Sequence, residues 1–405
     1  MTLKGAVNEE CRMKNVELAD DVRASSPLSI PGSTCFSLHS SFRAFLDRRY
    51  SVLALLVLLF AVPARGDRPV PPKLDDAVER ALAYLAKQQR DDGWFDHQQR
   101  PEGKDGDQSR NRRAITGLTT LAFLSAGHTP DSRSARDAGR YGPVVGKALD
   151  AMVNAVPEDG YIGKLDEKPM YTQAIVTLAV AQAYGVEPRA DRRLKTHAVL
   201  TKLVEVIVAA QAVKKEPAFA GGWRYNRDAP DSDLSLSGWN ALALRAAQDA
   251  GIKVPPTAIK AAADFVARCY QKEQRGFAYQ PGGAVQAGTT STGVLCLYLL
   301  DQNVRPEAAD AAGTLPSRMK GEKPFGEYPC YGMFYLTQAA AQASDDVWTS
   351  AAKPILDKLV KAQEGDGGWP ANWPAESSEP GRVYRTAMAT LALTVPYRVL
   401  PIYQR

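Results

Sequence analysis

A glycine followed by an aromatic residue recurs along this chain, and the recurrence constrains the fold more than any other feature. The copies are Gly93-Trp94, Gly160-Tyr161, Gly222-Trp223, Gly276-Phe277 and Gly368-Trp369, and Phe325-Gly326-Glu327-Tyr328 supplies a degenerate sixth between the last two. Repetition at tens of residues means that one supersecondary unit is used many times, each copy burying its apolar face on the next.

Each copy sits between two amphipathic runs. The preceding runs cover about residues 73–89, 141–156, 194–211, 255–271, 305–319 (weak) and 346–363. In the first, Leu74, Val78, Ala81, Leu82 and Leu85 fall at three- and four-residue steps, which marks one face of a helix. Several of these runs end in glutamine, at Gln89, Gln211, Gln271 and Gln363. The following runs cover about residues 112–127, 170–185, 233–250, 288–302, 331–343 and 382–399, and are apolar around more of their circumference. Such helices are packed on several sides. Ser, Thr or Asp near their starts predicts side-chain capping of the unpaired amides. Six outer and six inner helices in alternation predict an all-α fold, an (α/α)6 toroid of six helical hairpins. All the glycine–aromatic turns then lie at one end, where the inner N-termini converge on a central cavity.

The first 66 residues read differently. Residues 52–62 are VLALLVLLFAV, preceded by Arg48-Arg49 and followed by Ala64-Arg65-Gly66. A basic flank, a short apolar core and small residues before a cut describe a secretory signal peptide. Eleven residues at about 1.5 Å each do not span a bilayer core of about 30 Å. The expected division is therefore a leader over residues 1–66, cleaved after Gly66, and a single toroid over residues 67–405. The protein would be exported, to the periplasm or beyond; an uncleaved leader would instead hold it at a membrane. Residues 1–47 show no helical period, and the translation start could lie downstream of Met1.

The chain carries 50 basic and 45 acidic side chains with the signs interspersed, and no basic stripe with interleaved aromatics, so no nucleic-acid partner is expected. Beyond the leader only Cys269, Cys296 and Cys330 remain, an odd number, which leaves at least one thiol unpaired. His97, His128 and His197 stand at no metal-ligand spacing.

Gln89-Arg90-Asp91-Asp92-Gly93-Trp94 and Gln363-Glu364-Gly365-Asp366-Gly367-Gly368-Trp369 resemble the glutamine–tryptophan repeat of squalene cyclases and protein prenyltransferases. The resemblance extends over residues 73–399 and is closest to exported bacterial prenyltransferase/squalene-oxidase-repeat proteins. It implies the terpenoid cyclase-like toroid. Squalene–hopene cyclases protonate an alkene with an Asp-x-Asp-Asp-Thr segment. Asp231-Ser232-Asp233-Leu234-Ser235 is similar to it, with Asp233 at the donor position and Leu234 in place of the next carboxylate. The resemblance thus makes Asp233, with Asp231, the candidate catalytic acid; the alternative is that Asp233 or Ser235 caps the inner helix. Prenyltransferases bind zinc through Asp-x-Cys-Tyr and a later Tyr-His-Thr. Here Tyr328-Pro329-Cys330-Tyr331 and Tyr384-Arg385-Thr386 keep one ligand of three, and guanidinium cannot bind zinc, so no metal and no other cofactor is expected.

Trp239, Tyr298, Tyr331, Phe334 and Tyr335 fall on inner helices and are candidate cavity-lining residues. Asp228, Asp231, Asp233, Glu327, Arg382 and Arg385 fall near the mouth, where Arg385 could pair with Glu327 or hold an anion. The expected ligand site comprises Trp239, Glu327, Tyr331, Arg382 and Arg385, for a small lipid, peptide or glycan. Three function classes stay open. They are a binding or scaffold module, a terpenoid or lipid-modifying enzyme using Asp233 as general acid, and a polysaccharide-active enzyme. An aromatic cavity wall would favour the terpenoid; a polar trough would favour the sugar.

Overall fold

A computed structural model describes residues 68–96, 111–130, 139–300, 305–321, 323–373 and 381–404. The leader expected over residues 1–66 lies outside the described residues. The fold is an (α/α)6 toroid. Its outer helices are α1 (Leu74–Lys87), α3 (Gly142–Ala155), α5 (Ala190–Gln211), α7 (Pro256–Arg268), the short pair α9 (Pro306–Ala312) and α10 (Leu315–Arg318), and α12 (Asp345–Val347), which runs through the π-helical turn Trp348–Ala352 into α13 (Lys353–Ala362). Its inner helices are α2 (Arg112–Ser125), α4 (Pro169–Gly185), α6 (Leu234–Asp249), α8 (Ala287–Leu300), α11 (Pro329–Gln342) and α14 (Arg382–Leu393). Each inner helix packs on the next, and α14 returns to α2, so the ring is closed. Outer helices seat between neighbouring inner ones: α1 touches α14 and α2, and α3 touches α2 and α4. Burial follows this arrangement. The α4 helix is buried around nearly its whole circumference, whereas α1 buries one stripe containing Leu74, Val78, Leu82 and Leu85.

The glutamines hold the hairpins to one another. Gln89 Nε2 donates to the Gly93 and Val144 carbonyls, Gln211 Nε2 to those of Gly221 and Ala258, and Gln363 Nε2 to those of Gly367 and Ala77. One bond of each pair closes the glutamine's own turn, and the other reaches the outer helix of the next hairpin. Because Ala77 belongs to α1, the sixth turn reaches the first outer helix, which seals the ring. In the second hairpin an inner-helix residue takes this role: Gln173 Nε2 donates to the Gly160 and Leu203 carbonyls. In the fourth, β1 (Tyr270–Gln271) pairs antiparallel with β2 (Gly276–Phe277), and Arg318 of α10 donates to the carbonyls of Gln274 and Arg275 instead.

The repeat register differs from the sequence reading in two hairpins. A residue at positive φ is followed two positions later by the side chain that the hairpin buries: Gly93 and Phe95, Gly160 and Ile162, Gly221 and Trp223, Arg275 and Phe277, Gly367 and Trp369. In each, the backbone N–H of the buried residue donates to an inner-helix side chain: Thr116, Gln173, Ser237, Thr290 and Thr386 respectively. Phe95, with no exposed surface, therefore fills the position that Trp94 takes in the sequence reading. The positive φ needs glycine because a Cβ at Gly367 would lie 2.2 Å from the Arg80 carbonyl oxygen, and one at Gly93 2.5 Å from that of Lys147. Capping departs from expectation as well. Of the inner helices α2, α4, α6, α11 and α14, only α6 has a side-chain N-cap, where Asp233 accepts from the Leu236 N–H. Two of the others begin on proline, Pro169 and Pro329, which has no amide hydrogen to cap.

Candidate functional site at the inner-helix N-termini

The first turns of the inner helices carry partly exposed side chains at one end of the ring: Arg113, Tyr171, Ser235, Tyr331 and Tyr384. Below them three aromatic rings meet inside the ring. Trp239 of α6 stacks on Phe334 of α11, with ring centroids 5.4 Å apart and planes 3° from parallel, and Tyr335 meets both edge-on. Helices α6 and α11 are not neighbours in the ring, so these rings meet across its inside. Trp239, Phe334 and Tyr335 are all buried. Trp239, expected to touch ligand, lies in this layer, one turn below the mouth. The opposite end is crossed by residues 395–404. There the Tyr403 carbonyl accepts from Gln342 at 3.2 Å, and Ile402 and Tyr403 are buried.

Asp233 sits at the start of α6 with both carboxylate oxygens engaged. Oδ1 accepts from the Leu236 amide at 2.9 Å and Oδ2 from Arg224 at 2.7 Å. Burial raises its pKa above the usual aspartate range, and the bonds from Leu236, Arg224 and Tyr279 oppose that rise. Arg224 also reaches Asp231 at 3.3 Å and the Tyr279 hydroxyl at 2.8 Å, and its guanidinium lies over the Tyr225 ring at 4.4 Å. The Tyr225 and Tyr279 hydroxyls are 2.7 Å apart. Burial, then the Asp233 charge, raises the Tyr279 and Tyr171 phenols well above their ordinary value.

Two hydroxyl pairs join inner helices. Tyr171 Oη of α4 bonds Ser235 Oγ of α6 at 2.8 Å, Tyr331 of α11 bonds Thr292 Oγ1 of α8, and Ser235 stands close to the Tyr331 hydroxyl. Asp231, Asp233 and Tyr331 therefore share one face of the mouth. The remaining candidates are placed elsewhere. Arg382 serves its own turn, bonding Glu364, Asp366 at 2.9 Å and the Trp369 carbonyl, with its guanidinium over Tyr84. Arg385 is buried and donates to the Trp373 carbonyl, while Glu327 is exposed on the turn before α11. Asp228 is exposed on the rim of an open groove of about 420 Å³ floored by Val206, Ala209, Ala210 and Val213 on the outer wall.

Sequence reasoning missed Tyr171, Arg224, Tyr225, Ser235 as a hydroxyl, and Tyr279. The one signal in the sequence that could have found them is the Arg224-Tyr225 pair directly after the Gly222-Trp223 turn. Among the described residues, no group of three or more His, Cys, Asp or Glu side chains could hold a metal, and no helix is long and apolar enough to cross a membrane. Cys269 and Cys296 are buried free thiols, and Cys330 is buried as well.

No protein-family model and no curated protein matches the chain. Among solved structures it is similar to the type II terpene cyclase MstE from Scytonema, at 13% identity over 82% of this chain and 100% of that one, with a TM-score of 0.49. It is also similar to a polysaccharide lyase, at 12% identity over 81% of this chain and 98% of that one, with a TM-score of 0.45. Neither likeness bears on what this chain does.

Proposed function

We propose that this toroid is a non-catalytic binding module that receives its ligand at the mouth formed by the inner-helix N-termini. One observation carries the reading: beneath that mouth the rings of Trp239, Phe334 and Tyr335 meet across the inside of the ring, all three buried. A cyclase must enclose a flexible polyene inside an apolar cavity and protonate it there. These three contacting rings take up space on the inside of the ring that such a substrate would need. The state of Asp233 points the same way. An alkene-protonating acid needs a free, activated proton, whereas both Asp233 oxygens accept hydrogen bonds, one from an arginine. Asp233 so placed is a helix cap and the anchor for Arg224. The apolar core over residues 52–62 of the expected leader, residues 1–66, supports a site of action outside the cytoplasm, and a mature chain whose mass begins near Asp67 would bear that out; intact Met1 in the cytoplasmic fraction would refute it.

The test of the binding reading has two arms on the full chain. In the first, incubation with squalene and with geranylgeranyl diphosphate is followed by mass spectrometry of the organic extract. No conversion is expected, and a product that vanishes in Asp233→Asn would overturn the reading. In the second, hydrogen exchange is compared with and without ligands found in a small-molecule screen. Protection is expected in peptides covering residues 169–175 and 329–335.

A further inference from the structure

We infer that this protein pairs with a second copy of itself along α5, the exposed Leu194 of each copy seating in the outer-wall groove of the other. The inference concerns the outer wall and is independent of what the mouth binds.

Outer helices of the ring turn a charged face to solvent. On α1 that face carries Asp75, Asp76, Glu79 and Arg80, and on α13 Lys358 and Lys361, all exposed. The helix α5, with 22 residues the longest of the described helices, departs from this pattern. Its exposed stripe runs at three- and four-residue steps through Leu194, Ala198, Lys202, Glu205, Ala209 and, at the cap, Ala212. From Val206 to Val213 the chain reads VIVAAQAV, with no charge at all. A helix apolar around its whole circumference is a buried one, yet here part of that surface floors the open groove of about 420 Å³. Leu194, 75% exposed, stands near the other end of the same stripe. An exposed apolar surface with a polar rim marks a contact with another molecule.

Charge identifies the occupant. The groove lining carries Asp159, Glu205 and Asp228 against Arg227, whose guanidinium lies over the Tyr161 ring and 3.7 Å from Asp159. Around Leu194 the sign is reversed. Arg193 and Lys195 flank it, both exposed, and the nearby Asp191 is matched by Arg189 at 2.7 Å. An acidic-rimmed apolar groove thus fits a leucine held between two cations, and one helix presents both. Antiparallel pairing of α5 about a two-fold axis lets both copies make this contact at once. With Leu194 over the second copy's Ala209, the axis passes beside Thr201 and Lys202. Lys195 and Lys202 then each fall within about one helical turn of the second copy's Glu205. Each outer helix ends at its own mouth, so the two mouths of the dimer open in opposite directions.

The experiment is sedimentation equilibrium of the full chain up to about 100 µM. A monomer–dimer equilibrium is expected, and it should weaken as salt rises. Leu194→Asp and Ala209→Asp, both at exposed positions, should each weaken pairing at least about tenfold while the helical circular dichroism signal and urea midpoint are kept. Lys358→Asp, on the exposed face of α13, should leave pairing unchanged. Disulfide trapping locates the contact even if an aspartate variant misfolds. A chain carrying Leu194→Cys is mixed with one carrying Ala209→Cys under an oxidant, and Cys269, Cys296 and Cys330, all buried, do not compete. The mixture should give a covalent dimer, since a disulfide forms only between positions about 4–7 Å apart at Cα. A chain that stays monomeric throughout the range overturns the inference. Pairing that survives both aspartate substitutions overturns it too, because the contact then lies on another surface. Trapping of Leu194→Cys with itself, and not with Ala209→Cys, overturns the antiparallel seat. None of these outcomes bears on the binding reading of the mouth.

Discussion

Replacing Gly367 by alanine should open the ring at its seam. Gly367 holds φ +93, where an L residue is strained, and an added Cβ would lie 2.2 Å from the Arg80 carbonyl oxygen. Backbone strain of this kind costs about 1–2 kcal/mol. To regain ordinary contact the sixth turn must lift away from α1 by about 1 Å, the shortfall between that separation and van der Waals distance. The lift would stretch the 2.8 Å bond from Gln363 Nε2 to the Ala77 carbonyl beyond use, which adds about 1 kcal/mol. The expected loss is about 2–3 kcal/mol. Gly365→Ala is the matched control: it lies in the same loop, without positive φ, and an added Cβ there meets nothing within 4 Å. It should fall within about 0.5 kcal/mol of the parent. Urea denaturation gives the magnitudes, and hydrogen exchange locates them, with lost protection in residues 74–87. If the two variants unfold at the same midpoint, or if residues 74–87 keep their protection, the seam does not hold the ring as argued.

Other perturbations follow from the same structure. Phe95→Ala should cost about 3–5 kcal/mol by leaving a closed cavity, and Trp94→Ala less, since its partly exposed site can fill with solvent; the reverse order in chemical denaturation would refute the register. Asp233→Asn should cost about 1.5–3 kcal/mol by removing the charged partner of Arg224 and weakening the cap, with the helical circular dichroism signal retained; an unchanged midpoint would show the pair to be dispensable. Burial pushes the Cys269 and Cys296 thiols up to about 12, from an ordinary value near 9. The unfolded chain therefore loses these protons first, and their contribution to stability should shrink as pH rises from 9 towards 12. At pH 8 a disulfide reagent should label both only at the rate of unfolding, and rapid labelling of the native chain would contradict their burial.

The helices were legible in the sequence because a packed ring imposes two patterns. A stripe of apolar residues marks α1, and an all-round apolar surface marks α4. Turn register was less legible. Gly93-Trp94 looks like Gly222-Trp223, yet the glycine at positive φ is Gly221 in the third hairpin and Gly93 in the first, so the buried position falls on Phe95. Nothing in a one-dimensional pattern tells which of two adjacent aromatics faces in. The role of Gln173 was hidden for a related reason, since it performs from an inner helix what Gln89, Gln211 and Gln363 do from outer ones. At the mouth, Asp231 and Asp233 marked the start of α6 through a motif. The residues around them come from separate hairpins: Tyr171 meets Ser235 across 64 positions, and Arg224 meets Tyr279 across 55. Proximity of that kind is set by closure of the ring and leaves no local trace. Arg385, which could pair with Glu327 or hold an anion in the sequence reading, donates to the Trp373 carbonyl of its own hairpin's turn.

The forward reach of each turn also fixes an order of assembly. Five of the outer-helix seats can be completed as the chain lengthens, because each hairpin docks on one already made. The seat of α1 cannot. Its backbone carbonyl at Ala77 waits for Gln363, its flank waits for α14, and Asp75 waits for Tyr397. A nascent chain therefore carries an open horseshoe with one unfinished lip until nearly the whole sequence is available. That lip is where a folding helper would have to stand guard, and where two unfinished copies would most readily exchange their ends.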